Sequence, residues 1–529
     1  MERRSAILLH PTALPGPFGS GDLGPDAVAW LDRLAAAGQS LWQILPLGPT
    51  ALGDSPYGAL SAFAGNPRLV SPERLAELGL LTSEELERAR LPWTPRVDFE
   101  RSGAHRRDLV RRAFDRFESE RGGAQAALAD ELAAWSSAPE MAAWLDDWTL
   151  FAALRERHGR EAWTSWPEAL RRREPAALNA ARSELATEIR FHAFVQFCFA
   201  RQLAALRSEA ARRGIALLGD LPIYVAADAA DVWAHPELFE VDAEGRPGLV
   251  AGVPPDYFSA DGQLWGNPLY RWSVLAESGY AWWIDRIRAN LAQVDLLRLD
   301  HFRAFQAYWQ VEAGAPTARD GHWVDGPGRA LFDALGDALG DLPLLAEDLG
   351  LITDEVHALR RDLDLPGMKV LQFGFHTGSE DHLPHRVEPA TAYYTGTHDN
   401  QTARGWFEAA NDDERRRALD YLGGTPEEVA WSMVRAVWTS VAETAVAPAQ
   451  DILGLAADAR MNTPGIPGGN WGWRLPESTL DDATVDRLRR LTEVAQRRPA
   501  PPAATGDEAG AGSAADPDSA LPVEPPRPS

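Results

Sequence analysis

Short apolar runs recur along the chain at residues 6–10, 41–47, 215–223, 296–302, 342–346, 368–373, 392–395 and 447–453. Each has the length of a strand and is apolar enough to be buried on both faces, as parallel strands are. Between them the apolar residues fall at helical spacing. Residues 25–37 carry Val28, Leu31 and Leu34, and the same rhythm marks 280–291, 329–339, 403–410, 412–422 and 426–442. Strands alternating with helices imply a parallel sheet. About eight such repeats, none with an antiparallel signal, predict an α/β fold of the (β/α)8 barrel type.

Three stretches interrupt the repeat. From about 67 to 210 the pattern is helical and rich in Trp (Trp135, Trp144, Trp148, Trp163, Trp166), too long for one barrel helix, and predicts a helical insertion between strands two and three. Residues 240–275 read as a long loop at the barrel mouth, and 462–473 as a rigid Gly/Pro/Trp loop after the eighth strand. Nothing strand-rich follows residue 475, so no C-terminal β-sandwich is expected. Residues 497–529 are dominated by Pro, Ala, Gly, Ser and Asp, and such a segment buries too little apolar surface to fold. The expected organisation is therefore one catalytic barrel over 1–495 and a disordered tail.

The net charge of −25, from Asp+Glu 77 against Lys+Arg 52, excludes the basic footprint of a nucleic-acid binder. Cys198 is the only cysteine, so neither an intrachain disulfide nor a cysteine-based zinc site is available. The N-terminal apolar run is shorter than the roughly 7–15 residues of a signal peptide, and none approaches the roughly 18 of a membrane span. A soluble, cytoplasmic protein is expected, with no membrane partner. The 20 Trp suit packing of sugar C–H faces on indole rings, although core packing accounts for most of them.

Chemistry is concentrated in Leu296-Leu297-Arg298-Leu299-Asp300-His301-Phe302-Arg303. Charges inside an apolar run are paired or functional. Arg298 and Asp300, two apart on a strand, point the same way. Asp220, Glu347 and Asp399 likewise lie at or just past strand ends, and in this barrel the C-terminal strand ends carry the active site. Gathered acids permit glycosyl transfer by two carboxylates, a divalent metal site, or proton abstraction at a carbon acid. Arg298 beside Asp300 disfavours the metal, because a guanidinium competes with a cation. It is expected to lower the Asp300 pKa and keep an ionised nucleophile. Glu347, at an apolar strand end, is expected to stay protonated as a general acid.

The stretches Arg298-Leu299-Asp300-His301-Phe302-Arg303, Glu347-Asp348-Leu349-Gly350 and Gly396-Thr397-His398-Asp399-Asn400 resemble the amylomaltases, 4-α-glucanotransferases related to the α-amylase superfamily. So do Leu9-His10-Pro11-Thr12, Ser55-Pro56-Tyr57, Gly219-Asp220-Leu221-Pro222, Gly252-Val253-Pro254-Pro255-Asp256-Tyr257-Phe258, Leu264-Trp265-Gly266-Asn267-Pro268 and Asn462-Thr463-Pro464-Gly465. The resemblance runs from about residue 5 to 495. It implies that Asp300 is the nucleophile, Glu347 the acid/base and Asp399 the transition-state stabiliser. It further implies that Arg298 and His398 hold the sugar at the cleavage point, Tyr57 is an aromatic platform, and Asp220 lines the site. Asp256, Tyr257 and Phe258 would belong to an acceptor-side loop, with Trp265 stacking on an acceptor glucose or anchoring that loop.

The family usually has Gly where this chain has Ala304, and often Asp where it has His376; neither change touches the acids. The resemblance implies no metal and no organic cofactor. The expected substrates are α-1,4-glucans, with glucose or another glucan as acceptor. The expected activity is retaining 4-α-glucanotransfer, an intramolecular acceptor giving cyclic glucans. An α-glucan hydrolase on the same barrel is the alternative enzyme, and a glycogen-associated binding protein the non-enzymatic one.

Overall fold

The computed structural model describes residues 3–51, 53–255, 261–466, 468–477 and 480–497. Twelve strands are formed among them. In chain order they are β1 (Arg4–Leu8), β2 (Leu41–Gln43), β3 (Ala216–Leu221), β4 (Leu249–Val253), β5 (Gln263–Pro268), β6 (Leu296–Leu299), β7 (Ala307–Glu312), β8 (His322–Asp325), β9 (Leu344–Ala346), β10 (Gly367–Val370), β11 (Thr391–Tyr394) and β12 (Thr444–Pro448).

Eight of these pair in parallel in the order β10-β11-β12-β1-β2-β3-β6-β9, a nearly closed (β/α)8 barrel. The two outer strands meet through Ala346 N–H donating to Pro366 O at 2.9 Å and Met368 N–H donating to Asp348 Oδ1 at 2.6 Å. Residues of β1, β2, β3, β6, β9 and β11 are almost all buried, which explains their unbroken apolar runs. The runs overshoot the strands at their C-terminal ends. β6 stops at Leu299 and the chain turns at once into the 3-10 turn Phe302–Phe305, and β12 stops at Pro448, whose ring removes the next ladder donor.

The helical insertion between β2 and β3 is present, from Pro72–Glu77 to the 27-residue helix Ala186–Arg212. That last helix packs on β3 and on Pro25–Ala36, so it also serves as the crossover of the barrel. Gln196 and Gln202 along it clasp the chain leaving β2. Each accepts from the N–H and donates to the carbonyl of one residue, Gly65 (2.7 and 2.9 Å) and Ser71 (2.7 and 3.2 Å) respectively. Trp144, Trp148, Trp163 and Trp166 are buried, as core packing requires.

The mouth departs from the expected loop. β4 and β5, from the β3–β6 connection, and β7 and β8, from the β6–β9 connection, form a four-stranded antiparallel sheet in the order β5-β4-β7-β8. β4 is an apolar run, but β5, β7 and β8 mix polar and apolar residues and are partly exposed, and the all-parallel expectation fails here.

The opposite end of the barrel is fastened by Arg497, which is fully buried. Its five N–H donors reach the carbonyls of Trp438 (2.7 Å), Arg4 (2.8 Å), Glu443 (3.1 Å), Ser440 (3.2 Å) and Ala442 (2.8 Å). Several belong to the C-terminal end of helix Val429–Thr439, where a cation also meets the negative end of the helix dipole. The folded chain thus includes Arg497, the first residue assigned to the tail. After residue 475 the only helix or strand among the described residues is the helix Asp482–Val494. No described helix is long and apolar enough to cross a membrane.

Candidate active site

The site is assembled from strand ends. β3 and β6 are in register with Asp220 opposite Arg298, which places a carboxylate and a guanidinium side by side inside the barrel. Arg298 is 4% exposed, and its Nη1 donates to Asp220 Oδ1 and Oδ2 (2.7 and 2.8 Å) and to Asp300 Oδ1 (2.8 Å). Its Nε lies 3.3 Å from Met368 Sδ. Burial opposes the Arg298 charge, but the two carboxylates outweigh it and hold the pKa well above the ordinary value.

Just past Leu299, Asp300 stands at the strand end, and His301 turns the chain in the left-handed region (φ 52°, ψ 48°). A non-glycine residue rarely adopts that conformation, which costs roughly 1–3 kcal/mol. The turn brings His301 N–H to within 2.7 Å of Glu347 Oε2, while Leu349 N–H donates to Oε1 at 2.9 Å. Glu347 is thereby fixed by two backbone donors at the end of β9. Its neighbour Asp348 faces elsewhere, paired with Arg360 at 3.1 Å and bound to Met368 N–H, so the adjacent acids have separate duties.

Burial pushes the Glu347 carboxyl up to about 7, Asp300 adding to the shift while Arg298 and the backbone donors oppose it. The raised value was expected. Asp300 departs from expectation: burial, opposed by Arg298 and reinforced by Asp220, pushes it up to about 6. The reason is burial, which outweighs an Arg298 charge already shared with Asp220. The order is kept, with Asp300 the more readily ionised of the two.

The loop after β11 supplies His398 and Asp399, with His398 Nε2 3.3 Å from Asp399 Oδ1. Burial opposes the imidazolium, yet Asp399 raises the His398 pKa. Burial also acts against the Asp399 charge, but His398 and the side-chain amide of Asn462 (2.6 Å to Oδ1) outweigh it and bring Asp399 down to about 2. Tyr57, from the loop after β2, stacks on His398 (ring centroids 5.0 Å apart, planes at 20°) and donates its hydroxyl to Asp220 Oδ2 at 2.8 Å. Tyr57, His398, Asp399, Asp300, Arg298 and Glu347 share the wall of one cleft of about 1300 Å³.

Sequence reasoning left out several residues of that wall. Asn462 bonds Asp399, Arg460 donates to the Asp399 carbonyl at 2.5 Å, and Trp471 lies against both Tyr57 and His398, each at 5.8 Å between centroids. All three come from the chain after β12. The signal was there: a Gly/Pro-rich loop leaving a barrel strand at its C-terminal end is where such sites are built. Trp265 lines the cleft at 37% exposed and packs edge-on against His301 (4.8 Å). His376 also lines it, with Nδ1 2.6 Å from Glu414 Oε1, and Ala304 is fully buried. Asp256, Tyr257 and Phe258 lie outside the described residues. Among the described residues no three His, Cys, Asp or Glu side chains are grouped to hold a metal ion.

A barrel whose mouth carries a shared Arg–Asp pair, a buried Glu and an ionised Asp beside a stacked Tyr–His pair defines a carbohydrate-active enzyme of the (β/α)8 class. The family profile described as 4-alpha-glucanotransferase matches residues 9–480. The 4-alpha-glucanotransferase of Synechocystis sp. is 48% identical over 502 residues, covering 94% of this chain and 98% of that protein. That of Thermus thermophilus is 48% identical over 510 residues, covering 94% and 99%. The solved structure of an amylomaltase from Streptococcus agalactiae in complex with acarbose matches at TM-score 0.89 and 38% identity, over 94% of this chain and 100% of that one. The chain belongs to the 4-alpha-glucanotransferase family and is a glycosyl-transferring enzyme of the amylomaltase type.

Proposed function

We propose that this enzyme disproportionates α-1,4-glucans by a retaining double displacement, with Asp300 as nucleophile, Glu347 as acid/base and Asp399 as transition-state stabiliser. In the first step an Asp300 carboxylate oxygen attacks C1 of the donor sugar. The C1–O4 bond breaks, and Glu347 delivers its proton to the departing O4. A glucosyl ester on Asp300 remains. In the second step the 4-hydroxyl of glucose or another glucan loses its proton to Glu347, attacks C1 and displaces Asp300. An acceptor hydroxyl on the same chain gives a cyclic glucan.

The observation that carries this reading is the contrast in settings. Asp300 is held by a permanent cation, Arg298, whereas Glu347 accepts only from neutral backbone amides in a buried place. Such a contrast separates acid from nucleophile. Asp399, ionised and 45% exposed to the cleft, would face the positive charge developing at C1. Arg298 and His398 would hold the sugar there. Tyr57 would form its platform, Asp220 would set Arg298, and Trp265 would contact an acceptor glucose. Asp256, Tyr257 and Phe258 would bind the acceptor. The setting is the cytoplasm.

Incubation with maltotriose alone tests the reading. Glucose together with maltopentaose and longer chains, at constant total reducing ends, is the expected result. Glucose and maltose with rising reducing ends would assign water as the acceptor and reject transfer.

A further inference from the structure

We propose that Trp323 forms an outer glucose-stacking subsite on the rim of the cleft, engaged only by longer glucans. This rests on the glucan-transfer reading above. Trp323 is 39% exposed, an unusual position for an indole, and it lines the same cleft as Asp300 and Glu347. It belongs to neither the barrel core nor the small core of the mouth sheet, where Trp309 backs Val250, Val311 and Ala318. Core packing therefore does not account for it.

The ring is held in place. Trp323 on β8 stands opposite Trp309 on β7, their rings meeting edge to face at 5.1 Å. The Arg303 guanidinium lies 3.6 Å from its centroid. Arg303 is itself buried and bonded to the carbonyls of Ala307 (3.4 Å) and Leu351. A ring fixed by a cation and a neighbouring indole gives up little rotamer freedom when a ligand lands on it, so more of the contact energy is retained as affinity. The exposed part of the indole shares the cleft wall with the exposed Leu351, whose carbonyl Arg303 also holds, an apolar pair suited to a glucose C–H face.

The subsite is linked to the reacting centre by the chain. Arg303 follows Asp300 by three residues, a span of at most about 10 Å between backbone positions, to which the Arg side chain adds its own length. Trp323 packs on Arg303 and Trp309 and not on Arg298, His398 or Tyr57 around Asp300, so its ring serves a sugar other than the one at the cleavage point and its contact favours longer chains.

The test is a series of donors from maltotriose to maltoheptaose with the wild type, Trp323→Ala, Trp323→Leu and Trp323→Phe. Trp323→Ala and Trp323→Leu should leave kcat/KM for maltotriose unchanged and lower it for maltoheptaose about tenfold, through KM, as loss of one aromatic contact predicts. Trp323→Phe should recover most of the loss. Trp323→Leu keeps apolar bulk against Arg303 and Trp309, so it reads the stacking even where Trp323→Ala folds poorly. An equal loss at every donor length, or no change at any, overturns the subsite. Calorimetry in the Asp300→Asn background gives a readout without turnover, and there Trp323→Leu should weaken maltoheptaose but not maltotriose. A wild type that transfers nothing would reject the functional reading, while the calorimetric difference still decides on Trp323.

Discussion

Asn462 donates its side-chain amide to Asp399 Oδ1 at 2.6 Å, bridging 63 residues of chain. The bond joins the loops after β11 and β12 and stabilises the ionised form of Asp399. A hydrogen bond to a charged group contributes roughly 1.5–3 kcal/mol. Asn462→Ala should therefore lower kcat/KM for maltoheptaose about 10- to 100-fold. Asn462→Asp, which sets a second carboxylate against Asp399, should cost more. Wild-type kinetics in Asn462→Ala would show that Asp399 needs no such partner.

The roles proposed for Asp300 and Glu347 predict a bell-shaped pH profile. Asp300 must be ionised to attack, so activity rises as pH climbs through about 6. Glu347 must be protonated to assist departure, so activity falls as pH passes about 7. The maximum of kcat/KM should lie between them. Glu347→Gln should abolish transfer from maltooligosaccharides yet still be glycosylated by maltotriosyl fluoride, whose leaving group needs no proton, without the alkaline limb. An alkaline limb that persists in Glu347→Gln would assign it to another group.

Arg298 neutralises two acids at once, so its removal should act on both stability and pH profile. Arg298→Met leaves Asp220 and Asp300 together without a counter-charge, and breaking a buried pair costs about 3–5 kcal/mol. The Asp300 carboxyl, already raised, would rise further. A raised carboxyl favours the folded state at low pH and loses that advantage as pH climbs through its folded value. Thermal melts of Arg298→Met should thus show the largest deficit at neutral pH, shrinking on acidification. A deficit independent of pH would point to lost packing instead.

Arg497 predicts a separation of stability from catalysis. Arg497→Ala strands buried carbonyls, each worth roughly 1–3 kcal/mol when left unsatisfied. It should shorten the half-life of activity at elevated temperature while leaving kcat at 25 °C unchanged. A chain stopped after residue 499 should match the full-length enzyme, and one stopped at 496 should behave as Arg497→Ala. Loss of activity on removing residues 500–529 would give that segment a part in catalysis.

The barrel was legible because eight buried strands must be apolar on both faces, a demand that side chains such as those of Ile7, Leu217 and Tyr393 record directly. The mouth sheet was not, because β5, β7 and β8 mix polar with apolar residues and the pairing of β4 with β7 joins two separate connections. The acids were found from their place at strand ends. The pKa order of Asp300 and Glu347 was readable as well, but not the direction for Asp300. Asp220, on a different strand and 78 residues from Arg298, takes a share of the guanidinium, and only the register of β3 against β6 reveals that competition. Asn462 and Trp471 went unassigned because a Gly/Pro-rich loop does not announce which of its side chains turns inward.

The guanidinium of Arg497 has a consequence for how the molecule comes into being. β1 has as one neighbour β12, with Arg4 opposite Thr444 across 440 residues of chain. The carbonyl of Arg4 in β1 waits still longer, for a donor at position 497. The other seven strands of the barrel all precede β12 in the chain, so β1 keeps an open edge until β12 is available. Closing that edge is gated by contacts across more than 400 residues of chain, and contacts of such separation are the slow ones. Until then the edge of β1 is the part of the newborn enzyme most in need of a chaperone's cover.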